Sequence, residues 1–379
     1  MSSTPSSETE NRPAESSPLL SVDGLKTHIR TDSGTVHAVD GVSFEIDAGE
    51  TVAIVGESGS GKSMTCKSLT RIVPQPPAEI VEGTVEFDGT ELTGLGRSEL
   101  RTYRGNRIAH IFQNPQQALD PVYTVGDQIE EAITIHDAAA GRNSRERAIE
   151  LLGTVGIPDA GRRIDDYPHE FSGGMRQRIA IAIALAADPE LLIADEPTTA
   201  VDVTVQARLI ELLRDLGDGG MSMLLVTHDL RVVAALADRV LVMFGGTIVE
   251  RGPTEALFER PAHPYTRVLF DSYNGEAGGP DPKGQSDRSS GSRAERPDRD
   301  RSARETIPND GCRFRRECPY AIDACETTAQ PRFEPIDGRD DHAVSCVYYA
   351  PERDPEPILA GDTARLERSQ ARAEVSSDE

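Results

Sequence analysis

Residues 51–63 read TVAIVGESGSGKS, and the reading of the whole chain works outward from them. Thr51 to Val55 is a short apolar run flanked by glycine, the pattern of a strand buried on both faces. Gly56 to Ser63 follows and matches G-x-x-x-x-G-K-[ST] between that strand and a helix. Gly56, Glu57, Ser58, Gly59, Ser60 and Gly61 form a loop whose backbone N–H groups can curl around phosphate oxygens. The positive end of the following helix adds to that attraction. Lys62 supplies a point charge to the β and γ phosphates, and Ser63 offers a hydroxyl to Mg²⁺. The helix that begins at Lys62 must stop by Pro74.

Further buried runs lie at Leu191–Ala194, Met223–Val226 and Val240–Phe244, separated by helical stretches. Buried strands alternating with helices predict an α/β fold with a parallel core sheet covered on both faces. Val42–Ile46 and Thr84–Asp88 alternate apolar and polar residues instead, which predicts a half-exposed antiparallel β subdomain. Between them and the later strands, Val125, Ile129, Ile133, Ala148, Leu151 and Leu152 keep helical spacing and predict a helical subdomain.

Two more segments carry chemistry. LLIADE at 191–196 is a strand ending in two carboxylates, beside the phosphate loop in any sheet of this kind. Asp195 would hold Mg²⁺ through water, and Glu196 would orient and deprotonate an attacking water. FSGGMRQ at 171–177 begins a helix with Ser172 as N-cap, and Gly173 and Gly174 let a phosphate approach its start.

The chain has 379 residues, a formal net charge of −24 and no Trp, and four of its 40 basic residues are Lys. The negative field argues against nucleic acid or an anionic membrane surface as main partner. An acidic, Arg-rich, Lys-poor composition suits a high-salt environment, where screening relieves self-repulsion. No run reaches the roughly 18 apolar residues of a membrane helix, and no signal peptide is visible, so a cytoplasmic location is expected. Met1–Pro18 reads as a disordered tail, 19–275 as the main domain and 276–306 as a flexible linker without large apolar residues. A Cys-bearing region, 307–350, and a charged tail, 351–379, complete the organisation.

Taken together, the phosphate loop, IFQNP with Gln113, FSGGMRQ, LLIADEPTTAVD and LLVTHD with His228 resemble the nucleotide-binding subunits of ATP-binding cassette transporters. The order and spacing match across about 20–252. PVYTVGDQI, HPYTRVL near His263 and the Cys-rich tail narrow the resemblance to oligopeptide and dipeptide importer ATPases. The resemblance implies a P-loop ATPase cassette in which Gln113 senses Mg²⁺ and the γ-phosphate. It implies that Ser172 and Gly174 contact a nucleotide held by a partner subunit, that Asp202 lies in a loop crossing between subunits, and that His228 bonds the γ-phosphate. Phe171 and Met175 stand where the broad family favours Leu and Gln. The aromatic that usually stacks on adenine in the resembled family is not evident near Ile29 to His37, and adenine is expected to rest on Ile29 or His37. One phosphate loop and one signature segment per chain make two half-sites, so ATP should bridge two cassettes.

Cys312, Cys318, Cys325 and Cys346 can close a tetrahedral site in an otherwise core-poor segment. A [4Fe–4S] cluster, Zn²⁺ or two disulfides are the alternatives, and the resemblance implies the cluster. Cys66 reads as a buried small hydrophobe. The expected activity is ATP hydrolysis driving peptide import at the cytoplasmic face of the membrane. The resemblance implies two permease subunits, a second ATPase subunit (paralogue or self) and an extracellular peptide-binding protein. The helical subdomain, about 115–171, would receive the permeases. A soluble cassette ATPase in repair or translation, a nucleotide switch without turnover, and importers of nickel chelates or sugars are the other readings.

Overall fold

Thr51–Val55 is buried along its whole length and lies inside an eight-stranded sheet. The computed structural model describes residues 17–113, 119–136, 143–199, 202–276, 307–326 and 329–359. Most of the expected N-terminal tail, the linker from 277 and the chain from 360 lie outside the described residues.

The first elements are strands β1 (Leu20–Thr31), β2 (Gly34–Ile46) and β3 (Thr51–Val55), then helix α1 (Lys62–Leu69). Next come β4 (Ala78–Phe87), β5 (Thr90–Glu91), α2 (Arg97–Leu100) and β6 (Ile108–Ile111). The helical subdomain holds α3 (Val125–His136), α4 (Ser144–Thr154), α5 (Ala160–Arg163) and α6 (Gly173–Ala184). Then follow β7 (Leu191–Asp195), α7 (Val203–Asp218), β8 (Ser222–Thr227), α8 (Leu230–Leu236) and β9 (Arg239–Phe244). After β10 (Thr247–Pro253), α9 (Thr254–Glu259) and α10 (Pro264–Glu276), the last elements are β11 (Glu334–Ile336), β12 (Arg339–Val344) and α11 (Glu356–Leu359).

β2, β1, β4 and β5 form an antiparallel sheet, with the alternating runs 42–46 and 84–87 inside it. The large sheet runs β11-β12-β10-β9-β3-β8-β7-β6. Its core from β9 to β6 is parallel, as the apolar runs predict. Its other edge is antiparallel, from β10 through β12 to β11. Val125, Ile129, Ile133, Ala148, Leu151 and Leu152 are all buried against Phe171 and Ile179, so the helical spacing does mark an inward face.

α1 ends at Leu69 with Thr70 as C-cap, before Pro74 is reached, as expected. Two boundaries differ from the sequence reading. The Cys-bearing region is no appendage: Val344 and Ala343 pair with Glu250 and Arg251 and lengthen the main sheet. The charged tail does not begin at 351, since α11 continues the packed structure and Ile358 is buried beside Ala262, Tyr320 and Tyr348. Arg267 also donates to the Ile358 carbonyl oxygen, and composition alone registers neither contact. Cys66 is buried among Leu69, Ile54 and Leu241, as a small hydrophobe.

Candidate active site

β3, β7 and β8 lie parallel, with Val55 level with Thr227 and Asp195 level with Val226. Their C-terminal ends therefore bring the phosphate loop, Asp195–Glu196 and His228 to one edge of the sheet. The loop approaches its neighbours too closely for side chains. A Cβ at Gly56 would stand 2.2 Å from the Met243 carbonyl oxygen, and one at Gly61 2.3 Å from that of Ala38. Both positions also have positive φ, so glycine is required twice over.

Lys62 is buried, and its ammonium donates to the carbonyls of Gly56 at 2.7 Å and Glu57 at 2.8 Å. Burial lowers its pKa, against the opposing pull of Glu196 and Asp195. Ser63 Oγ donates to Asp195 Oδ1 at 2.8 Å. Burial raises the Asp195 pKa, and the Ser63 hydrogen bond moderates the shift. A hydroxyl and a carboxylate meeting this closely are hard oxygen ligands of the kind Mg²⁺ takes.

Glu196 has φ 51, a left-handed conformation uncommon outside glycine, and its N–H donates to Val226 O at 2.8 Å. Its carboxylate gathers three side chains: Gln113 Nε2 at 2.9 Å, Thr199 Oγ1 at 3.0 Å and His228 Nδ1 at 3.4 Å. Burial acts to raise its pKa, but the hydrogen bond from Thr199 and the His228 interactions outweigh it, and the carboxyl is held below its ordinary value. It is ionised at neutral pH and aimed by three contacts. Thr199, inside the PTTAVD run, was not singled out by sequence; a hydroxyl three residues after the acid is the signal that could have found it.

A cavity of about 770 Å³ opens over this edge. It is lined by Ser58, Gly59, Gly61, Lys62 and Ser63, by Gln113 and Glu196, and by Ile29 and His37. Both adenine candidates thus face the same space. One face of His37 is occupied, because His28 stacks on it with centroids 4.0 Å apart. Ile307 and Asn309 also line the cavity, although nothing in their sequence context marks them as nucleotide contacts.

Ser172, Gly173, Gly174 and Asp202 do not line it. Ser172 caps α6 by accepting from Met175 N at 3.3 Å, and Asp202 caps α7 by accepting from Val205 N at 3.0 Å. The two helix starts touch each other, since a Cβ on Gly174 would meet Val205 Cγ1 at 2.4 Å. From α7, Gln206 reaches Asp229, the residue after His228, at 2.8 Å. The departures at 171 and 175 share one partner: the Arg163 guanidinium sits 4.1 Å from the Phe171 ring centre and 3.7 Å from Met175 Sδ.

The four C-terminal cysteines are free thiols. Cys312, Cys325 and Cys346 are buried, and burial pushes the Cys312 thiol up to about 11 and Cys318 up to about 12. Neighbouring cysteines raise the Cys312, Cys318 and Cys346 thiols further, so the four lie in one neighbourhood. Among the described residues the one trio of ligand atoms within 4.8 Å of one another is His28, His37 and Asp40, and no three of the thiols lie that close together.

A family model described as ABC transporter matches residues 39–199, and one described as oligopeptide/dipeptide transporter, C-terminal region, matches 249–325. A putative peptide import ATP-binding protein of Brucella abortus is 47% identical over 312 residues, 82% of this chain and 90% of that one. The oligopeptide transport ATP-binding protein OppD of Bacillus subtilis is 49% identical over 67% of this chain and 71% of its own length. Among solved structures, a dimeric ATP-binding cassette bound to ADP and Pi matches with a TM-score of 0.56 at 28% identity. That match covers 62% of this chain and 98% of that one. The fold and site define an α/β nucleotide-binding cassette that hydrolyses ATP. The chain belongs to the ATP-binding subunits of ABC transporters, in the oligopeptide/dipeptide branch whose C-terminal region it carries.

Proposed function

We propose that this chain powers peptide import, hydrolysing ATP at an interface with a second cassette and driving two membrane permease subunits served by an extracellular peptide-binding protein. The observation that carries the catalytic part is the Glu196 carboxylate, ionised and held by Gln113, Thr199 and His228 beside Lys62 and the Ser63–Asp195 pair. Glu196 accepts the proton of a water as that water's oxygen attacks the γ-phosphorus and the bond to the ADP oxygen breaks. Lys62 neutralises charge on the β and γ phosphates, and His228 steadies the γ-phosphate and the base. Ser63, Asp195 and Gln113 would hold Mg²⁺, which would supply charge neutralisation for the phosphates.

The second cassette, paralogue or self, is required because the cavity lacks Ser172, Gly173, Gly174 and Asp202. Those residues lend their helix start and crossing loop to a nucleotide on the partner. No described helix is long and apolar enough to cross a membrane, so the transport path belongs to other subunits. The chain then sits peripherally at the cytoplasmic face, with the helical subdomain against the permeases. The region matched over 249–325 favours this reading over a repair or translation ATPase.

Cys312, Cys318, Cys325 and Cys346 would hold a [4Fe–4S] cluster, which supplies a cross-link between distant segments and a redox-active centre. Absorbance near 400 nm with iron in anaerobically purified protein supports this; colourless protein containing zinc overturns it. For catalysis, Glu196→Gln is expected to keep ATP binding, lower turnover by about 10²- to 10⁴-fold and accumulate a closed dimer. Unchanged phosphate release in the assembled complex would refute the base assignment.

A further inference from the structure

The Cys-bearing segment returns to the nucleotide cavity and touches it in two places. Phe314, two residues after Cys312, packs edge-on against Phe244 with centroids 5.2 Å apart, and its centroid lies 5.4 Å from that of Tyr265. The Tyr265 hydroxyl accepts the N–H of Glu57, inside the phosphate loop, at 2.8 Å. Tyr265 is itself placed by buried Glu250, which accepts from the backbone of Ala262 and His263 and from His342 of β12. Arg313, adjacent to Cys312 and buried, pairs with Asp40 on β2. Asp40 in turn faces His37 Nδ1 at 3.4 Å, and His37 lines the cavity.

The fit between these parts is tight. Gly245 leaves no space for a side chain, since a Cβ there would meet Ile307 Cγ2 at 2.9 Å and Arg313 Cβ at 3.2 Å. Cys312 and Cys325 are further joined by a backbone hydrogen bond of 2.9 Å. Residues 312–314 are thus held on one side by the thiol site and on the other by two struts to the nucleotide cavity. Whatever orders the thiols orders Phe314 and Arg313, because they are neighbours along the chain.

We propose that Tyr265 and Arg313 are positioning residues through which the four-thiol site and the nucleotide cavity set each other's affinity. The proposal rests on the reading of the four cysteines as a metal site. Closing that site seats 307–314 against the cavity and strengthens nucleotide binding, and bound nucleotide in turn shields the thiols. Reciprocity is required by linkage: a factor gained in one direction appears in the other.

The test uses the full chain purified anaerobically, with iron and zinc content measured before and after chelator treatment. Titration with a fluorescent ATP analogue and Mg²⁺ is expected to show binding weakened about tenfold when the metal is stripped. In stripped protein, Mg-ATP is expected to slow thiol modification by a disulfide reagent. Tyr265→Phe combined with Arg313→Met is expected to retain its metal yet lose the response, with stripping changing affinity less than about twofold. Each single variant is expected to show an intermediate response, which keeps the result readable if the double variant is poorly folded. Equal affinity of metal-filled and stripped protein overturns the coupling, as does an undiminished response in the variants. Purified chain with no metal overturns the underlying site reading instead, and metal content alone reports that outcome.

Discussion

The phosphate-binding end of the sheet and its cysteine-bearing edge solve the same problem, gathering several polar groups at one point, in opposite ways. At the first, eight consecutive residues from Gly56 to Ser63 make the cradle, and strand ends bring Asp195, Glu196 and His228 to it. At the second, four thiols are spread from 312 to 346, and tertiary contacts such as the Cys312–Cys325 backbone hydrogen bond and the pairing of β12 with β10 bring their segments together. A site built from contiguous backbone has little chain entropy to overcome. One built from dispersed residues depends on the packing around it and on whatever its ligands bind. The difference teaches that the first site should lose function without losing fold, while the second should couple function to fold.

The contrast can be broken at either end. The largest effect on ATP affinity is expected for Lys62→Ala, which removes a buried ammonium bonded to two loop carbonyls. ATP affinity should fall by about 10- to 100-fold, as for other hydrogen bonds to charged groups. Thermal unfolding should hardly change; a collapse of the melting transition would show that the two regions do not differ as described.

Acid offers a second probe, because each region contains a buried histidine whose pKa burial lowers to about 4 from 6.5. His110 on β6 bonds the Thr70 hydroxyl at 2.8 Å, and His263 Nδ1 accepts from Tyr265 N at 3.1 Å. Below pH 6.5 the unfolded chain takes up protons that both native imidazoles refuse. Stability is therefore complete above pH 6.5 and declines as pH falls towards 4, by an amount on the order of a few kcal/mol. His263→Gln should flatten part of that decline in a denaturant titration series; a pH-independent midpoint across the window would contradict the buried, neutral assignment.

The smallest effect concerns the surface shared by both regions. With a net charge of −24, repulsion between exposed groups is screened within about 8 Å at physiological ionic strength and less in dilute buffer. Melting temperature should rise with added NaCl by a few degrees and then level off. A fall with salt would mean that arginine ion pairs such as Arg107 with Glu190 and Asp88 outweigh the repulsion.

Much of this architecture was legible before any coordinates. The unbroken apolar runs at 51–55, 191–194, 223–226 and 240–244 are parallel strands because only a strand covered on both faces can lack polar residues. The phosphate loop and the acidic end of β7 were equally plain, since their chemistry is local. Thr199, Tyr265 and Asn309 were not. Thr199 and Tyr265 lie inside quoted motifs, yet nothing local assigns them a contact, and only closeness in space makes these three neighbours of Glu196, of the Glu57 N–H or of the cavity.

By itself the amino-acid order determined the class of the fold, the nucleotide chemistry and the cysteine count. These depend on periodicity and short spacing, which are written along the chain. Tertiary structure alone decided that the C-terminal region extends the main sheet, that Ile358 is buried in what composition reads as a tail, that Arg313 pairs with Asp40 and that Tyr265 bonds the phosphate loop. Pairings between β10 and β12 or between Asp40 and Arg313 join residues 92 to 273 positions apart, and loop closure leaves no local pattern that would announce them.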